Sequence, residues 1–120
     1  MAVSNIPVLS SAALFKDTDS AGAAVAIKAS SAVVYAVEVD NTANGAATYV
    51  RLWNTAAASV TVGTTAPDMV FMVPASVKRS FFMPDGITFG TALSAASTTT
   101  AGTAGSTGPT SDVTVNVVYV

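Results

Sequence analysis

The chain is 120 residues long, the length of one domain that buries roughly two-thirds of its unfolded surface. Hydrophobic residues make up 51% of it and charged residues only 10%, against about 25% in an ordinary soluble domain. With a net charge of -2, no cysteine and no histidine, it offers no basic footprint for nucleic acid, no thiol or disulfide chemistry, and no histidine- or cysteine-based zinc site, triad or dyad.

Residues 1–11, MAVSNIPVLSS, lack the basic start and long apolar core of a signal peptide. Ile6 and Val8 alternate around Pro7, which cannot donate to a central ladder, so the segment reads as an extended arm or edge strand. Leu14 and Phe15 precede a turn cluster from Asp17 to Gly22. A strand follows over 23–29, around Val25 and Ile27, and a clearer one over 32–40. There Tyr35, Val37 and Val39 face one way, and Ala36, Glu38 and Asp40 the other. Asn44-Gly45 marks a turn, and the next strand covers 47–54. A short strand is expected over 59–62, then strands over 68–73 and 77–83, a turn at Pro84-Asp85-Gly86, and a strand over 87–93. Residues 94–111, SAASTTTAGTAGSTGPTS, have no hydrophobic period and read as a flexible loop. The final segment alternates Val113, Val115, Val117 and Tyr119 against Thr114, Asn116 and Val118.

No apolar run approaches the ~20 residues of a membrane-spanning helix. No period of 3.6 persists long enough for any helix. The pattern predicts an all-β chain, one β-sandwich or jelly-roll-like domain of about eight short antiparallel strands covering 12–120.

The chemistry-bearing inventory is thin. Seven carboxylates remain for acid-base work, and most sit in or beside turns, where Asp commonly shapes the backbone. Asp17-Thr18-Asp19 opens like a calcium loop but lacks the later ligands. The Gly-rich GTAGSTGPTS lacks the Gly-Lys-Ser/Thr of a phosphate loop. The sequence therefore predicts no catalytic residues, no metal site and no cofactor.

One stripe stands out. Tyr49, Arg51 and Trp53 lie at i, i+2 and i+4, on the strand face opposite Val50 and Leu52. Three readings fit: a stacking platform for a sugar or base, cross-strand or core packing, and a subunit interface. The sparse charge, poorly suited to a dispersed monomer, favours the interface. Tyr49, Arg51 and Trp53 are accordingly candidate contact residues, with Ile6 and Val8 of the arm as a second contact by strand addition.

The stretch VYAVEVDNTANGAATYVRLWNTAAASVTVGTTAPDMVFMVP, followed by FFMPDGITFGTALSAAST and an apolar C-terminal strand, resembles small virion proteins of tailed bacteriophages. The resemblance covers about residues 33–120 and is firmest at Asp40-Asn41-Thr42, Tyr49 to Trp53 and Gly86 to Phe89. It implies a decoration (cement) protein on the outside of a phage capsid, made in the host cytoplasm and bound to the major capsid protein. It further implies a homotrimer, or failing that a dimer, with no enzymatic activity and no nucleic-acid or membrane partner. The rival from another class is a carbohydrate-binding β-sandwich module of a phage fibre or accessory protein.

Overall fold

The computed structural model describes residues 11–120. Among the described residues eight strands form: β1 (Ala13–Asp17), β2 (Val25–Lys28), β3 (Ala32–Asp40), β4 (Thr48–Trp53), β5 (Met69–Val73), β6 (Lys78–Phe89), β7 (Leu93–Thr98) and β8 (Thr114–Tyr119). They make two four-stranded sheets, ordered β1-β8-β3-β6 and β2-β7-β4-β5. Every pairing is antiparallel. The ladders β1·β8, β2·β7, β3·β6 and β4·β5 fold the chain back on itself as one long hairpin about the β4–β5 connection. Rolling that hairpin, closed by β3·β8 and β4·β7, yields a jelly-roll sandwich. The expected all-β sandwich is the fold observed.

The core lies between the sheets. Val34, Val37 and Val39 of β3 and Val113, Val115 and Val117 at β8 meet Val50 and Leu52 of β4, Phe71 and Val73 of β5, and Leu93 of β7. The aromatic rings of Phe71 and Phe81 touch at 4.9 Å between centroids, joining β5 to β6 at one end of the sandwich. At the chain's end, Val120 exchanges backbone hydrogen bonds with Val33.

Several local expectations are corrected. The alternation expected in β3 breaks between Val34 and Ala36, where the register against β6 and β8 shifts. Val34 is therefore a core residue, and Tyr35 is half-buried beside Gly86 instead of joining Val37 and Val39. Pro84-Asp85-Gly86 does not end a strand. It forms a bulge within the continuous β6, tolerated because β6 is an edge. A Cβ at Gly86 (φ 75°) would sit 2.5 Å from Val33 Cγ1, so only glycine fits there. Residues 57–59 form a single 3-10 turn in place of the short strand expected over 59–62. The Asn44-Gly45 turn is not a hairpin tip, because β3 and β4 belong to different sheets. Asn41 donates to the carbonyls of Ala46 and Pro74, both at 3.0 Å, and Asn44 donates to that of Ser111 at 3.1 Å. These bonds satisfy two buried amides and fix the crossover between the sheets.

Candidate interaction surface

The Tyr49–Arg51–Trp53 stripe lies on the outer face of the β2-β7-β4-β5 sheet, but that face is roofed by the chain's own loops. Arg51 and Trp53 are fully buried, and Tyr49 is half-buried. Trp53 donates through Nε1 to the carbonyl of Thr65 at 3.0 Å, beneath the loop joining β4 to β5. The loop between β7 and β8 covers Arg51, whose Nη2 donates to the carbonyls of Thr100 (2.8 Å) and Gly102 (2.7 Å) and whose Nη1 donates to Thr103 (3.3 Å). Its Nε is buried without a partner, and burial lowers its pKa from the usual arginine value.

Beside each large residue on β4, β7 supplies a smaller one: Thr98 opposite Tyr49, Ala96 opposite Arg51, Ser94 opposite Trp53. All of β7 is buried, although its sequence reads as polar low complexity. The expectation that Arg51 and Trp53 meet another subunit is therefore corrected: on the folded chain they have no exposed surface to offer. The same burial removes Trp53 as a stacking platform. The flexible loop expected over 94–111 is corrected too, since residues 94–98 are strand, Arg51 holds Thr100, Gly102 and Thr103, and Asn44 holds Thr110 and Ser111. Its carbonyls point inward to a guanidinium, the reverse of a phosphate cradle, which presents N–H groups. Ile6 and Val8 lie outside the described residues.

Three of the carboxylates, Asp17, Asp40 and Asp68, serve the backbone. Asp17 accepts from the Asp19 amide at 3.1 Å, Asp40 from the amide (3.0 Å) and hydroxyl (2.5 Å) of Thr42, and Asp68 from the Asn54 amide at 2.7 Å. Burial raises the Asp17 pKa above the usual carboxylate value, while the Thr42 bonds lower that of Asp40. Among the described residues no three Asp or Glu side chains come together as a metal set.

The exposed apolar surface lies on the other sheet. In the register of β1-β8-β3-β6, Leu14 stands opposite Val118, Val118 opposite Ala36, and Ala36 opposite Phe82. One apolar row thus crosses all four strands on the outer face. Its two ends are the most exposed large apolar side chains among the described residues, Leu14 at 63% and Phe82 at 74%. The adjacent row is polar: Lys16, Asn116, Glu38 and Ser80. Glu38 holds it together, accepting from Ser80 Oγ (3.3 Å) and Asn116 Nδ2 (3.5 Å) and pairing with Lys78 at 3.4 Å. The two rows line an open groove of about 340 Å³, beside which Asn116 keeps a buried Oδ1 without a partner.

Sequence reasoning missed this surface, although two signals pointed to it. Val118 is the one apolar residue on the polar side of the β8 alternation, and adjacent Phe81 and Phe82 cannot both face the core. No protein-family model matches the chain, and no curated protein matches it.

Proposed function

We propose that the protein is a non-enzymatic structural component of a phage particle, binding the outside of the capsid as an oligomer and stabilising the shell by bridging its major subunits. The observation that carries this reading is the Leu14–Val118–Ala36–Phe82 row. Large apolar side chains exposed together on a sheet face mark surfaces that another protein covers. The row lines an open groove and is rimmed by Lys16 and Glu38, as an apolar protein-binding patch is rimmed by polar residues. A surface with few charges fits a life in an assembly, and the resemblance to small virion proteins points the same way. Jelly rolls serve in both capsids and lectins, so the fold itself does not choose between the shell and the glycan readings. The glycan reading loses its platform with the burial of Trp53.

The test compares bare shells with shells carrying the protein. Decorated shells are expected to rupture at higher temperature, with the protein seen at fixed positions on their surface. Absence of binding, or equal rupture temperatures at full occupancy, overturns the proposal.

A further inference from the structure

Among the described residues, each sheet of the sandwich ends in two edge strands: β1 and β6 on one, β2 and β5 on the other. An edge presents unpaired N–H and C=O groups, and isolated proteins blunt such edges with charge, proline, bulges or shortness. Three of the four edges carry these devices. β1 holds Lys16 and Asp17, β2 has four residues with Lys28 and a register shift, and β6 holds Lys78, Arg79, Pro84 and a bulge. β5, Met-Val-Phe-Met-Val, carries no charge, proline or bulge within its five residues. Its outward residues Val70 and Met72 are 40% and 45% exposed.

We propose that β5 pairs with β5 of a second copy of this chain, antiparallel across a two-fold axis at Phe71, joining two four-stranded sheets into one of eight. The strand is self-complementary in that arrangement. Val70 meets the second copy's Met72, Met69 meets its Val73, and no charge opposes a like charge. Phe71 and Val73, already buried in each protomer, keep their face toward the core, so the inner faces of the two sheets continue across the axis. Pro67 and Pro74 flank the strand and limit the ladder to these five residues. The dimer goes beyond the shell-binding reading and needs no capsid. If that reading also holds, the dimer carries two copies of the Leu14–Phe82 row, as a bridge between two capsid subunits requires.

The experiment uses the purified full chain without shells. Light scattering is expected to give twice the 11.9 kDa chain mass. The variant V70K/M72K places lysines opposite lysines across the axis and is expected to be monomeric, as is V70E/M72E. Mixing the two is expected to restore a dimer, because each lysine then faces a glutamate. A wild-type monomer or trimer, a V70K/M72K dimer, or a mixture that stays monomeric overturns the proposal. Amide exchange of the wild type provides a readout independent of variant folding. Protection of β5 that rises with protein concentration supports the pairing, and protection unaffected by concentration overturns it.

Discussion

Arg51 holds Gly102 across the sandwich surface, its Nη2 donating to the Gly102 carbonyl at 2.7 Å from 51 positions earlier in the chain. With the bonds to Thr100 and Thr103, a buried cation organises a loop that has few apolar groups of its own. Hydrogen bonds to a charged group contribute about 1.5–3 kcal/mol each, and burying the charge opposes part of that sum. Arg51→Met is expected to cost about 2–3 kcal/mol in urea unfolding. It should also speed amide exchange over residues 99–107 while sparing β3 and β8. Unchanged exchange in that loop would show that the carbonyl contacts do not order it.

Deleting residues 99–107 removes the same carbonyls from the other side. A surface loop can ordinarily be shortened at little entropic cost. Here the deletion should lower the unfolding midpoint, because Arg51 loses its partners and its cover. Combined with Arg51→Met it should cost less than the sum of the two changes, a coupling that a double-mutant cycle reads directly. Additive effects would place the loop's contribution elsewhere.

The same loop shows where the sequence was legible and where it was not. Alternation in residues 32–40 and 113–119 identified β3 and β8, because valines repeating every second residue leave little else to form. β7 stayed hidden because Ser94, Ala96 and Thr98 are small on purpose of space, lying beside Trp53, Arg51 and Tyr49. Small polar residues in a strand buried on both faces carry no hydrophobic period. The stripe is legible as unusual, but its cover comes from the irregular segments 54–68 and 99–111, which carry no hydrophobic period that would announce their packing. The bulge at Tyr35 likewise depends on residues 83–86 of another strand.

Gly105 lets the loop close over Arg51. A Cβ there would lie 1.8 Å from Thr100 Oγ1 and 3.2 Å from Arg51 Nη2. Gly105→Ala is expected to destabilise by about 1–3 kcal/mol through overpacking. Thr100→Ala should restore part of that loss, since the nearest clash is with the threonine hydroxyl. Thermal unfolding of the two single variants and the double variant tests this, and a double variant no better than Gly105→Ala would relocate the clash.

Two aspartates give opposite pH signatures. The folded pKa of Asp40 lies below its ordinary value because Thr42 donates to the carboxylate. Its stabilising contribution is present above about pH 3.9 and fades as pH falls through the folded value. Burial raises the folded pKa of Asp17. Between its ordinary and raised values the folded chain holds more protons, so stability falls as pH rises across that window. Carboxyl NMR titration should find Asp40 ionising at lower pH than Asp17. Asp17→Asn should flatten the decline above about pH 3.9 and leave the Asp40 limb in place.

Phe82 is 74% exposed on an edge strand, so truncating it removes little from the fold. Surface changes of this kind usually fall within about 0.5 kcal/mol. If the row Leu14–Val118–Ala36–Phe82 is the face that meets the shell, the same ring becomes buried on binding, where a Phe side chain contributes roughly 1.5–3 kcal/mol. Phe82→Ala should therefore weaken shell binding about 10- to 100-fold while the melting temperature of the free protein stays level. Leu14→Ala should act in the same direction from the other end of the row. The β5 variant V70K/M72K leaves this face intact, so each monomer should still dock but lose the avidity of two linked sites. Titration of fluorescently labelled protein onto shells separates these outcomes. Wild-type affinity in the Leu14→Ala/Phe82→Ala double variant would remove the row from the interface and turn the search to the rims of the sandwich.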